Sequence, residues 1–263
     1  MRLPDIDPKQ DGAARTGARY LLDHPGRRSA PVSPGDGEAM ARTLDKLVDP
    51  DAAVRSVLFD GATVMVGGFG LVGKPLTLVS ALNRSPFGGL TVVSNNLGEP
   101  GRYLGQTLQL GKIRRAVGSF FTSNPDAVRA HAEGRLEVRL LPQGTLAEAI
   151  RAGGAGLGGF YTPTGVGTLL AEGREIRELG GRSYLFQEPL TADVALIRAH
   201  RADRLGNLVY RATARNFNPV MATAAQKVVA EVDEIVEVGE LDPEQIATPH
   251  LFVDYLVLAR ERL

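Results

Sequence analysis

No cysteine and no tryptophan occur among the 263 residues, histidine occurs four times, and neither sign of charge prevails, with 30 basic residues against 30 acidic. Each shortage excludes a class of chemistry. Without thiols there is no disulfide, no thiolate nucleophile and no Cys-ligated zinc or iron–sulfur site, and such a composition fits a cytoplasmic protein. The histidines, His24, His131, His200 and His250, never reach H-x-x-H or H-E-x-x-H spacing, so no metal site is expected. Balanced charge gives no field to draw nucleic acid or an anionic membrane surface, and an anionic small molecule has to be met locally. No stretch reads as a membrane span, since the longest uncharged run is rich in Gly, Pro and Thr. What is present is 43% hydrophobic residues, enough over this length for a real core.

Residues 1–43 are rich in Pro, Gly, Asp and Arg without a sustained apolar period, and read as a flexible N-terminal extension. Tyr20-Leu21-Leu22 is too short for the apolar region of a signal peptide, and Asp5, Asp7, Asp11 and Asp23 break the acid-poor pattern of a mitochondrial transit peptide. Over 44–263, strand and helix signals alternate. That alternation predicts one α/β domain built on an open, mostly parallel sheet with helices on both faces. Strands are expected at 64–69, 90–93, 113–121, 136–141, 193–199, 208–211 and 228–232, with a hairpin around Gly180-Gly181. Helices are expected at 75–82, opened by Pro75; at 126–133, entered through Ser123-Asn124-Pro125; at 145–151, with Thr145 and Glu148 as a capping box; and at 219–227.

Between Arg151 and Glu172 lie twenty uncharged residues, seven of them glycine. Glycine loses the most backbone entropy on folding and offers no side chain to bury, so these glycines are expected to shape the backbone rather than to pack. The interleaved Leu, Phe, Tyr, Val and Pro distinguish the run from a flexible linker and point to an ordered loop close to a ligand or another chain.

Gly68-Phe69-Gly70-Leu71-Val72-Gly73 matches G-x-G-x-x-G between a strand and a helix, where a dinucleotide fingerprint belongs. The second strand should then end in an acid for the ribose hydroxyls, and it ends in Ser94-Asn95-Asn96 instead. Two readings stay open: free amides near a helix start that attract phosphate or carboxylate, or a tight strand-to-helix crossing that touches no ligand. Asn95, Asn96 and Gln143 each follow a strand at its carboxyl end, where open α/β sheets bind ligands, and neutral amides there can donate to a carboxylate or thioester oxygen. They can equally brace loops. No G-x-S-x-G elbow and no Ser–His–acid grouping is visible. Glu188 is the carboxylate most suggestive of burial, in a capping or ion-pair role, while Arg215 either binds an anion or ties down a helix start capped by Asn218 before Pro219. Shaped loops without a nucleophile suggest half of an active site.

Taken together, residues 67–73, Ser94-Asn95-Asn96, Pro142-Gln143-Gly144-Thr145-Leu146-Ala147-Glu148, residues 153–168 and Ala214-Arg215-Asn216-Phe217-Asn218-Pro219 resemble the α subunit of the class I CoA-transferases. Residues 193–210, Gly239-Glu240-Leu241-Asp242-Pro243 and Thr248-Pro249 are similar as well, so the resemblance spans about 45–257. It implies an open three-layer α/β fold and a homologous β subunit in an αβ or α2β2 assembly. It also implies that the catalytic nucleophile is a glutamate of that β subunit, not of this chain, and that CoA is a substrate rather than a resident cofactor. By the same resemblance Gly67, Gly68, Phe69, Gly70, Leu71, Val72 and Gly73 would contact CoA. Gln143, with Asn95 and Asn96, would face the acid substrate, and the run from Gly153 would shape the cleft between subunits. Residues 156–160 and 195–200 look most like the acetate/acetoacetyl-CoA branch; succinyl-CoA:3-oxoacid and 3-oxoadipate transferases share most of the motifs. A non-catalytic ligand-binding or regulatory domain of related fold is the alternative from another class, and a sugar-phosphate isomerase would need an Asp or Lys acid/base motif that is not evident. Three departures stand out: Lys74 at a position usually apolar, placed either near the CoA phosphates or in solvent, Leu97 after the two asparagines, and Gln187-Glu188-Pro189.

Overall fold

Short runs of β-branched and aliphatic residues, apolar on both faces, are what a parallel sheet covered by helices demands. The computed structural model describes residues 46–261, so the expected extension at 1–43 lies outside the described residues. Helix α1 (Pro50–Val57) leads into strand β1 (Thr63–Val66), followed by α2 (Leu76–Arg84), β2 (Leu90–Val93), α3 (Leu104–Gln109), β3 (Ile113–Gly118), α4 (Pro125–Ala132), β4 (Glu137–Leu140) and α5 (Gln143–Gly154). Three strands, β5 (Phe160–Thr162), β6 (Ile176–Leu179) and β7 (Arg182–Gln187), precede β8 (Ala192–Asp203), β9 (Leu208–Val209), α6 (Asn218–Thr223), β10 (Ala225–Val236) and β11 (Tyr255–Leu258). The main sheet runs β11-β10-β8-β1-β2-β3-β4, with every pair parallel and β9 antiparallel to β8.

Alternation along β1 divides the core. Val64 and Val66 pack with Leu78, Val79 and Leu82 of α2 and with buried residues of α1, α3 and α4, whereas Met65 packs on the opposite face with Leu146 and Ile150 of α5 and Met221 of α6. Helices therefore cover both faces, as the alternating pattern implied.

Several boundaries differ from the sequence expectations. Helix α5 starts at Gln143, two residues before Thr145, with Pro142 as an extended N-cap residue (φ −54°, ψ 141°) that makes no side-chain cap hydrogen bond. Thr145 is consequently buried within the first turn and Glu148 binds Arg151, so the capping box does not form. The helix expected at 219–227 ends at Thr223, because β10 begins at Ala225 and pairs with β8 from Ala225↔Ala192 to Val236↔Asp203. This pairing also lengthens both strands to 12 residues, past the end of β1 at Val66. Helix α1, absent from the expectations, nonetheless starts on local signals: the Asp49 side chain accepts from the Asp51 amide at 3.0 Å, and Pro50 follows at the first helical position.

The uncharged run is not one loop. Its first part finishes α5, and there glycine does serve packing: a Cβ at Gly153 would lie 2.1 Å from the Leu190 carbonyl oxygen, and one at Gly154 would lie 2.3 Å from Thr223 Oγ1. Ala152-Gly153-Gly154 thus lets α5 sit directly on the entry to β8 and on α6. Its second part is β5, which joins β7 and β6 in a separate antiparallel sheet. The expected hairpin closes that sheet through Gly180 (φ +59°) and Gly181 (φ +74°), the left-handed pair that a two-residue turn requires.

Candidate functional site

At the carboxyl end of β1 the chain reverses in a tight turn held from both sides. Phe69 and Val72 exchange amide–carbonyl hydrogen bonds at 3.0 and 3.1 Å, with Gly68 at φ +106° and Gly70 at φ +59° allowing the reversal. Two asparagines after β9 bolt this turn down. Asn216 Oδ1 accepts from the Gly68 amide at 3.1 Å and its Nδ2 donates to the Val72 carbonyl at 3.0 Å. Asn218 Oδ1 accepts from the Arg198 amide at 2.9 Å, while its Nδ2 donates to the carbonyls of Gly73 and Ala214. A Cβ at Gly67 would fall 1.8 Å from Asn218 Oδ1, and one at Gly73 would fall 2.4 Å from the Ala214 carbonyl. Asn218 is therefore a strap on the turn, not the helix cap expected from its place before Pro219, and it belongs to the first turn of α6.

The start of α2, where a dinucleotide phosphate would sit, is already filled. Glu231 from β10, fully buried, receives the Leu78 amide at 3.2 Å on Oε2 and Arg198 Nη1 at 2.7 Å on Oε1. Burial pushes its carboxyl up to about 7, against Arg198 and the hydrogen bonds of Leu78 and Thr77. Arg198 also reaches Asp233 at 2.5 Å, and His200 Nδ1 lies 3.2 Å from the other Asp233 oxygen. Arg198, His200 and Asp233 border a cavity of about 250 Å³ beside Val72, Tyr210 and Arg211. Within the turn the amides of Gly67, Gly68, Phe69, Val72 and Lys74 are taken up inside the chain, whereas those of Gly70, Leu71 and Gly73 bond to no described residue. Phe69 and Val72 present their side chains outward, each 47% exposed.

Three further strand ends meet nearby. The amides of Ser119 and Phe120, after β3, both donate to the Asn95 carbonyl at 3.1 Å, fixing the segment after β2. Asn95 Nδ2 reaches Gln143 Oε1 at 3.4 Å, and Asn96 Nδ2 reaches Asn95 Oδ1 at 3.2 Å. Asn96 is itself held by the Gly98 amide at 2.9 Å. Asn95 and Asn96 are buried and Gln143 is exposed at the start of α5. Next to Gln143, a cleft of about 430 Å³ lies between Pro142, Gly144, Thr145 and Glu148 on one side and Phe160, Tyr161, Thr162 and Thr164 on the other. The uncharged run thus supplies one wall of a cleft whose other wall is the start of α5. Amide side chains, backbone amides and an anion-compatible helix terminus can together hold a carboxylate or a thioester oxygen without a counter-charge of their own.

A comparison with known families matches residues 48–259 to the coenzyme A transferases. The chain belongs to that family. The CoA-transferase relatives include the A-type subunit of the succinyl-CoA:3-ketoacid coenzyme A transferase of Xanthomonas campestris pv. campestris (strain B100). It is 51% identical over 213 residues, which cover 81% of this chain and 88% of the relative. The alpha subunit of the acetate CoA-transferase of Escherichia coli (strain K12) is 48% identical over 77% of this chain and 92% of its own. The A-type subunit of the 3-oxoadipate CoA-transferase of Pseudomonas putida is 47% identical over 81% and 94%. Among solved structures, glutaconate coenzyme A-transferase from Acidaminococcus fermentans superposes with a TM-score of 0.72 at 18% identity, over 81% of this chain and 75% of that one. An acyl-CoA transferase of E. coli O157:H7 superposes at 0.75 and 21% identity, over 85% of this chain and 49% of that one, so the chain spans about half that structure's length. At these identities the two superpositions establish the shared fold.

Within this CoA-transferase subunit the structure joins Asn95, Asn96 and Gln143 in one hydrogen-bonded cluster, with the turn of residues 67–73 at another strand end of the same sheet edge. The burial expected of Glu188 and both placements expected of Lys74 fail. Glu188 is exposed, in the expected ion-pair role with Arg139 at 3.8 Å; among the described residues the buried carboxylates are Asp203 and Glu231, and the signal for Glu231 was a lone acid in the apolar stretch Val228-Val229-Ala230-Glu231-Val232 opposite Arg198. Arg215 is exposed. Lys74 is neither in solvent nor turned to a ligand phosphate: it is 1% exposed, its Nζ lies 3.5 Å from Ser94 Oγ, and burial lowers it to about 7. Among the described residues no group of three or more His, Asp or Glu could hold a metal ion, and no helix is long and apolar enough to cross a membrane.

Proposed function

We propose that residues 44–263 form the α subunit of a heteromeric cytoplasmic CoA-transferase that moves CoA between an acyl-CoA and a short-chain or 3-oxo acid of the acetate, acetoacetate or succinate class. In this reading the reactive glutamate comes from a homologous β subunit in an αβ or α2β2 assembly. The observation that carries it is the convergence of Asn95, Asn96 and Gln143 at one sheet edge beside a cleft, hydrogen-bonded to one another. The turn of Gly67, Gly68, Phe69, Gly70, Leu71, Val72 and Gly73 supports CoA contact through the amides of Gly70, Leu71 and Gly73 and through the outward faces of Phe69 and Val72. The partner's carboxylate adds to the thioester carbonyl, and CoA leaves as a thiolate, giving a mixed anhydride. The thiolate then attacks the glutamyl carbonyl and releases the acid as its carboxylate, leaving a glutamyl-CoA thioester. A second acid runs the sequence backwards. In each direction Asn95, Asn96 and Gln143 hold the acid's oxygens while charge moves between them, which neutral donors do without trapping the carboxylate as a fixed ion pair. CoA is consumed and reformed as a substrate, with no permanently bound cofactor.

The 3-oxoadipate acceptor is the second reading, favoured by the 47% identity to the P. putida relative. Assay of the chain alone and co-expressed with its β partner tests the proposal. Exchange is expected only from the pair, and robust turnover by the isolated chain refutes it. In the pair, Gln143→Ala should raise KM for the acid about tenfold, the loss of one hydrogen bond to a charged group, with little change for acyl-CoA. An unchanged acid KM removes Gln143 from the site. The same assay with acetate, succinate and 3-oxoadipate ranks the acceptors.

A further inference from the structure

A buried lysine without a carboxylate partner demands an explanation, because burying an amine in a place where nothing balances its charge opposes folding. Lys74 is such a residue. It is 1% exposed, and its amine reaches Ser94 Oγ at 3.5 Å, which in turn donates to the Val66 carbonyl at the end of β1. Its stem lies under the glycine turn: a Cβ at Gly68 would meet Lys74 Cε at 3.1 Å. The amine therefore sits between the ends of β1 and β2, beside the residue that precedes Asn95 and Asn96.

We propose that Lys74 is a positioning residue for the acid substrate, its ammonium lying behind the Ser94-Asn95-Asn96 segment and lending the neutral amide cluster the positive potential that draws a carboxylate in. The inference rests on the proposed carboxylate site. Amides align a carboxylate but carry no net charge, and an exposed cation is screened by water, whereas one sealed behind the cluster acts through a low-dielectric path. The turn and the end of β2 face the amine with uncharged groups, Gly68 and Ser94. The titratable and charged groups of β8 and β10, Arg198, His200, Glu231 and Asp233, bond to one another and to the start of α2, and burial alone accounts for the perturbation of Lys74. Because the amine is lowered to about 7, its charge varies over the neutral range, and a bound carboxylate favours the charged form.

The test uses the complex with the β partner, wild type against Lys74→Met, with KM for acid and for acyl-CoA measured from about pH 6 to 8.5, a range that brackets the lowered amine. Wild-type acid KM is expected to rise with pH as the ammonium is lost. Lys74→Met is expected to show an acid KM about tenfold higher at the acid end of that range, flat with pH, and an unchanged KM for acyl-CoA. An acid KM and pH profile identical to wild type overturn the inference. A second measurement needs no variant and no turnover: in protein carrying 13Cε-lysine, the Lys74 titration midpoint is expected to move upward when acetate is added to saturation, and a midpoint that stays put overturns the inference. Loss of transfer to every acid, with the midpoint still moving, sinks the proposed acceptor chemistry and leaves the role of Lys74 standing.

Discussion

Arg198→Met is the sharpest probe of how the carboxyl edge of the sheet is held. Arg198 gives Glu231 its shortest contact, 2.7 Å, and Asp233 another at 2.5 Å, and the Glu231 side chain has no exposed surface. Removing one partner of a buried pair leaves an uncompensated charge, which costs about 3–5 kcal/mol. Glu231 escapes that cost only by protonating. Burial already raises its carboxyl from 4.5 to about 7, and loss of Arg198, the largest influence opposing that rise, moves it further up. A carboxyl raised in the folded state holds its proton longer there than in the unfolded chain, so the stability it confers is present below pH 4.5 and is lost as pH climbs through the folded value. The penalty of Arg198→Met should therefore be about 1 kcal/mol at pH 5 and about 3 kcal/mol at pH 8, read by urea unfolding with an unchanged m-value. Adding Glu231→Gln removes the buried charge while keeping an acceptor for the Leu78 amide, and should recover most of the loss at the higher pH. An equal loss at both pH values, or a double variant no better than the single one, refutes the account.

Two further outcomes follow from the same geometry. Gly154→Ala should destabilise by about 2 kcal/mol, since its Cβ would fall 2.3 Å from Thr223 Oγ1 and push α5 off α6, whereas Gly158→Ala, which meets nothing within 4 Å, should leave the melting temperature unchanged. Asn218→Ala should cost about 3 kcal/mol in urea unfolding, roughly 1 kcal/mol for each of the Arg198 amide, the Gly73 carbonyl and the Ala214 carbonyl left unpaired. By freeing the turn it should also raise KM for acyl-CoA more than KM for the acid, and the reverse ranking would detach the turn from CoA.

Periodicity and turn chemistry carried the sheet. The strand at 90–93 and the helix entered through Asn124, whose side chain accepts from the Asp126 amide at 3.1 Å, lie where local signals put them. What failed was decided by residues distant in the chain. Nothing local distinguishes the glycines of α5 that pack on Leu190 and Thr223 from Gly158, which has open space around it, because the difference lies in residues well downstream, beyond the whole β5–β7 sheet. The ends of β8 and β10 were invisible for a similar reason, each strand being prolonged by the other. The candidate site was half legible: strand-end placement singled out Asn95, Asn96 and Gln143, while the burial of Lys74 and Glu231 is decided by the tertiary fold that closes over them.

That burial changes what the glycine motif can mean. In a dinucleotide fold the turn after the first strand delivers a phosphate to the start of the following helix, where amides and the helix dipole meet its charge. Here a carboxylate of the same chain, Glu231, reaches that helix start and is locked there by Arg198, so a ligand phosphate would have to displace a buried ion pair. The turn is thereby released from the helix and attached to Asn216 and Asn218. It becomes a rigid backbone ridge beside the β2 and α5 amides instead of a phosphate cradle, with Phe69 and Val72 exposed on its outer side. Under the proposed function such a ridge would meet a long thioester along the sheet edge, whereas a pyrophosphate aimed at the helix terminus would find Glu231 there.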